Sequence, residues 1–188
     1  FGNSNLEPGE SATLEASYRH EFDNWSIAST IFSTDVENLI AYDATTFAPG
    51  NVDAAKISGL EMEIHLEINS WEIDSTLTLL STEQDGGSYD GNKLPRRPGE
   101  LIEVRLRKKM NRSEFGASIL ASGSTYDNLA NSIVLNSYQV IGLNASYLVT
   151  PKLKLIAKAS NLLDEDYENA AYYNQPGQEF FFGLKLAN

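Results

Sequence analysis

Along most of this chain apolar and polar residues take turns. Leu60, Met62, Ile64, Leu66 and Ile68 fall on one parity, and Glu61, Glu63, His65 and Glu67 on the other. Successive side chains of a strand point to opposite faces, so this period of two predicts strands. The same alternation carries Leu14, Ala16, Tyr18, His20 and Phe22, then Trp71, Ile73, Leu77 and Leu79. It returns in Ile102–Val104–Leu106, Phe115–Ile119, Ile141–Val149, Leu153–Ala159 and Phe180–Leu186. Residues 25–42 follow it less cleanly, because Ser29 and Ser33 take apolar-parity places. The pattern predicts an all-β chain of about nine strands and no helix.

The joints between these runs alternate as strictly as the residues do. Asp23-Asn24, Asn69-Ser70, Asn111-Arg112 and Thr150-Pro151 are short and made of turn-forming types. Between them lie long polar linkers, near 43–55, 85–98, 124–136 and 161–177. In an antiparallel up-and-down meander this puts every short turn at one pole and every long loop at the other. Sorting of that kind fits a membrane barrel, with short periplasmic turns and long outer loops. Phe22, Trp25, Trp71, Phe115 and Tyr147 sit on the apolar parity within a few residues of a short turn. Rings so placed predict a girdle at a membrane–water interface, in contact with outer-membrane lipid. The assigned strand centres carry no Lys, Arg, Asp or Glu on this parity, and His20 is its one ionisable side chain. The competing reading is a self-contained soluble barrel or sandwich, with the apolar parity packed inward.

Composition narrows the chemistry. Acids outnumber bases, 26 to 14, which argues against nucleic-acid partners. Without cysteine there is no disulfide, thiolate metal site or thiol nucleophile. No run of about 18 apolar residues exists to form a spanning helix. Phe1-Gly2-Asn3 is not a natural start and predicts residues upstream. Glu61, Glu63, His65 and Glu67 could be a metal or acid–base set; a hydrated wall accounts for them better. Asp164-Glu165-Asp166 lacks the glycine of a calcium loop. Eight of the fourteen bases lie between Lys93 and Arg112, which predicts a ladder inside the barrel plus lysines at the periplasmic end. No catalytic residue, metal or cofactor is assigned.

Several segments resemble TonB-dependent outer-membrane receptors of Gram-negative bacteria. These are Asn5-Leu6-Glu7-Pro8 with Glu10-Ser11 and Glu15, Ile57-Ser58-Gly59-Leu60-Glu61, and Leu94-Pro95-Arg96-Arg97-Pro98. Asn161-Leu162-Leu163-Asp164 with Asp166-Tyr167, and Pro176-Gly177 before Phe180–Leu186, complete the series in family order. Two places depart from it: Gln178 stands where the family has Arg, and Leu186-Ala187-Asn188 ends without an aromatic. The resemblance implies that residues 1–188 are the C-terminal part of a 22-stranded transmembrane β-barrel. The N-terminal plug and about thirteen earlier strands would lie outside the chain. It also implies transport of a scarce large ligand, powered by the TonB energy-coupling protein through that plug. Leu94–Pro98 and the Tyr172–Gly177 loop look most like cobalamin (vitamin B12) receptors; a ferric siderophore is the alternative ligand. On this reading the long loops are extracellular. Tyr89, Asp90, Tyr126, Asp127, Asp164, Asp166, Tyr167, Tyr172, Tyr173 and Gln175 then become candidates for ligand hydrogen bonds and stacking.

Overall fold

The alternating runs become ladders in a computed structural model that describes residues 2–43 and 47–186. Ala187 and Asn188, part of the C-terminal departure noted above, lie outside the described residues. In chain order the strands are β1 (Glu10–Glu21), β2 (Trp25–Asp43), β3 (Ala48–Ile68), β4 (Trp71–Gln84), β5 (Glu100–Met110) and β6 (Ser113–Ser122). Then follow β7 (Thr125–Tyr126), β8 (Val134–Leu135), β9 (Tyr138–Thr150), β10 (Leu153–Ser160) and β11 (Glu179–Leu186). Nine of them make one sheet in the order β1-β2-β3-β4-β5-β6-β9-β10-β11, all pairs antiparallel. The expected meander is therefore present, with β1 and β11 at its edges.

Register makes the apolar parity one continuous face. Met62, Leu77, Ile102 and Ala121 are directly opposed in a row across β3 to β6. Leu106, Ala117, Leu143, Ala159 and Phe180 form another across β5 to β11. A slip of one residue in any strand would carry its whole apolar set to the charged face, so the pattern itself fixes the pairing. The apolar face is not folded over on itself: Leu14 is 80% exposed and Phe182 79%. Among the described residues, the buried apolar side chains are Ala55, Leu94, Leu129, Leu135 and Ala171, in the long loops or strand ends beside them.

Asn69 and Ser70 both take positive φ, 47° and 68°, between the closing pair Ile68 and Trp71. This is the geometry of a primed hairpin turn, whose twist matches the strands and which favours glycine. Ser70→Gly is expected to stabilise the folded protein by up to about 1 kcal/mol, read from its denaturant midpoint. Gly59 has a different cause: a Cβ there would meet the Leu79 carbonyl oxygen at 2.6 Å and the Phe32 ring at 2.8 Å.

Two features differ from the sequence reading. The linker expected near 43–55 is mostly ladder, because β2 and β3 stay paired out to Asp43 and Ala48. Backbone pairing needs no apolar period, so alternation could not reveal this extension. The loop between β6 and β9 holds a small hairpin of its own, and a three-residue 3-10 turn occupies Gly87–Tyr89.

Candidate functional site

The polar face of the sheet is an ion-paired wall. His65 lies directly opposite Asp74, and Asp74 opposite Arg105. His65 Nδ1 is 2.8 Å from Asp74, and Arg105 donates to Glu103 at 2.7 Å. Glu72 binds Arg107 and, at 3.0 Å, Lys109. His65, Glu72 and Asp74 could offer ligand atoms within 4.8 Å of one another. Yet Glu72 is held by two cations and His65 by Asp74, so the arrangement reads as a charge-balanced wall rather than a metal centre. The basic run divides accordingly: Arg105, Arg107 and Lys109 enter this wall, while Arg96 goes to the loops.

At the long-loop pole three loops are tied into one platform. Asp127, only 3% exposed, accepts from Arg96 Nε at 2.7 Å and from the Ala171 amide at 3.1 Å. It thus joins the loops after β4, β6 and β10. Burial on its own pushes the Asp127 carboxyl up; the Arg96 guanidinium and the Ala171 amide outweigh it and hold the group below the usual carboxylate range. Gln84 and Asn92 both donate to the Leu129 carbonyl, at 2.9 and 3.0 Å. The Asn131 amide exchanges two bonds with the Lys93 backbone, at 2.8 and 2.9 Å. Leu94, fully buried, plugs the centre and donates its amide to Thr82.

The candidate residues divide by what the platform does with them. Asp127 is inside it. Asp90 accepts from the Gly86 amide at 2.7 Å, and Asp164 from the Gln178 amide at 2.8 Å. Tyr126 accepts the Arg96 amide at its carbonyl. Tyr167 stacks on Tyr138 at 4.2 Å and Gln175 binds the Tyr173 carbonyl. Burial raises the Tyr167 hydroxyl pKa, with Tyr138 adding to it. That leaves Tyr172 (87% exposed), Tyr173 (71%), Tyr89 and Asp166 turned to the outside. The residues that sequence reasoning missed are the struts: Gln84, Asn92, Asn128, Asn131 and Asn161. Their signal was the density of amide side chains in loops, each able to serve a backbone donor and acceptor at once.

At the opposite pole, the short turns, rings and cations share the apolar face. Phe22 stacks on Trp25 at 4.1 Å. Trp71, Lys108 and Phe115 are direct cross-strand neighbours, with Lys108 Nζ 4.6 Å from the Trp71 ring. Arg112 lies 5.6 Å from the Tyr147 ring.

Residues 1–162 match the family described as TonB dependent receptor-like, beta-barrel. The chain belongs to this family. Among relatives of this receptor barrel is the vitamin B12 transporter BtuB of Photobacterium profundum, 29% identical, covering 96% of the chain and 30% of that protein. Another is the probable TonB-dependent siderophore receptor PiuA of Acinetobacter baumannii, 27% identical over 90% of the chain and 25% of its own length. The solved ferric citrate transporter FecA shares the fold with a TM-score of 0.81 at 17% identity, covering 94% of the chain and 31% of FecA. The chain thus spans less than a third of these relatives and forms part of a TonB-dependent receptor barrel, a protein of the Gram-negative outer membrane. In barrels of this kind the apolar parity faces lipid and the polar parity the interior, which matches the exposed apolar face and the ion-paired wall seen here. Such homologues are transporters, not enzymes.

Proposed function

We propose that residues 1–188 are the C-terminal part of the barrel of a receptor that imports cobalamin, driven by TonB through a plug lying outside this chain. The observation that carries the ligand reading is the pair Tyr172 and Tyr173, exposed on a loop that Ala171 pins to the Asp127 brace. Flat phenol rings on a fixed mount suit a large planar ligand, since little side-chain freedom is lost on contact. The BtuB relatives in Photobacterium profundum and Vibrio vulnificus support the same choice. The family order of the sequence segments supports the C-terminal position. In lipid, unpaired amides along β1 and β11 would each cost several kcal/mol, so the remainder of the barrel is expected to cover both edges. The second reading, a ferric siderophore, is favoured by the likeness to PiuA.

Equilibrium binding to the full-length receptor separates the two. Cyanocobalamin should bind, and Tyr172→Ala with Tyr173→Ala should weaken it about tenfold, or about 1.4 kcal/mol. Binding of a ferric catecholate without cyanocobalamin would favour the second reading; binding of neither would remove both.

A further inference from the structure

The lipid face carries a built trough beside the cationic end of the barrel. Two adjoining open grooves, of about 420 and 660 Å³, meet at Phe115, Ala145, Ala157 and Phe182. Their floor is the small residues Ala117, Ala145 and Ala157, and Phe115, Phe180 and Phe182 stand as walls. The register explains the hollow: Ala145 on β9 pairs with both Phe115 and Ala157, and Ala157 pairs with Phe182. Alanines therefore run across β9 and β10 between rings on β6 and β11.

The short-turn end of this trough is where the apolar parity is broken by charge. Lys108 sits on the lipid face between Trp71 and Phe115. Arg112 reaches from the β5–β6 turn to the Leu148 and Val149 carbonyls of β9, over the Tyr147 ring that also lines the wider groove. The partners of these two cations are neutral: carbonyl oxygens and aromatic faces. Among the described residues no carboxylate pairs with either, unlike Arg105, Arg107 and Lys109 of the ion-paired wall. Two cations without a carboxylate partner, each over a ring that lines the trough (Trp71 and Tyr147), complement an amphiphile with an anionic head.

We infer that this face holds one anionic phospholipid of the periplasmic leaflet, its head drawn to the turn end that carries Lys108 and Arg112 and an acyl chain in the alanine-floored trough. The rings hold both cations at the height of the headgroup, and the trough gives the chain a concave surface to fill.

The test uses the full-length receptor, delipidated and placed in nanodiscs of phosphatidylcholine with one-fifth phosphatidylglycerol. Lipid carried through ejection is then counted by native mass spectrometry. Wild type should retain phosphatidylglycerol at about fourfold its share of the bilayer, so that it makes up most of the lipid carried through. The pair K108Q/R112Q should bring retention down to that share. K108R should keep the preference. Ala157→Phe, which fills the trough and spares the cations, should lower retention of both lipids. Equal retention of the two lipids by wild type would overturn the inference, as would an unchanged preference in K108Q/R112Q. If the double variant does not fold, K108Q alone decides, with a loss of at least threefold expected. No transported ligand enters the measurement, so its outcome is independent of the import reading.

Discussion

Leu77→Arg is expected to destabilise the receptor in a bilayer by about 2–4 kcal/mol, while Thr76→Arg, one residue away, changes it by less than about 1 kcal/mol. Leu77 lies mid-strand on β4, directly between Met62 and Ile102 on the lipid face. A guanidinium there must stay in hydrocarbon or pull lipid and water toward itself. Thr76 points the other way, opposite Glu63 and Glu103, into a wall that already carries Arg105 and Arg107. An added cation there meets carboxylates and water. Urea unfolding of the full-length receptor from phospholipid vesicles checks the contrast. Equal losses at both positions, or a larger loss for Thr76→Arg, would show that the two faces have been assigned the wrong way round.

That contrast is legible in the sequence, because alternation reports which residues share a face and nothing more is needed to orient a strand. Leu60 to Ile68 against Glu61 to Glu67 was enough to place β3, and the register then carried the same parity through all nine strands. The sorting of tight and long joints was likewise visible, since Asn69-Ser70 and Asn111-Arg112 have turn chemistry of their own. Where the period stops, the sequence falls silent. The paired extension of β2 and β3 past the apolar run is held by backbone bonds that any residue can make. The loop platform was hidden for another reason: its struts join residues far apart in the chain, Arg96 to Asp127 and Asp127 to Ala171. The Leu94–Pro98 segment advertised two arginines but not the acid that one of them meets. Asp127 looked like a ligand-facing loop acid because nothing local distinguishes an exposed aspartate from a buried one.

The second large effect concerns that buried acid. Asp127→Ala removes the counter-charge of Arg96 and strands the Ala171 amide in a spot where Ala171 is only 7% exposed. Losing hydrogen bonds to a charged group at a dry site costs about 1.5–3 kcal/mol. Arg96 is 40% exposed and can turn to water, which places the ion-pair share at the low end. The loss should be local: the loops after β4, β6 and β10 should open together while the lipid-facing ladder stays closed. Hydrogen exchange of the full-length receptor reads this as faster exchange at Ala171 and Tyr173 with β4 and β5 unchanged. Asp127→Asn keeps an oxygen for the Ala171 amide and should lose about half as much. The pH dependence follows from the direction of the shift. The folded Asp127 carboxyl titrates below its unfolded value, so its stabilisation is complete above the ordinary carboxylate range and disappears as pH falls through the lowered folded pKa. Protection at Ala171 in the wild type should therefore fall on acidification below that range, beyond the intrinsic slowing of exchange, and Asp127→Asn should not show the step. Because Tyr172 and Tyr173 follow directly on the pinned Ala171, the same acidification should loosen their mount. A step that persists in Asp127→Asn would assign the acid sensitivity to another carboxylate and separate the brace from it.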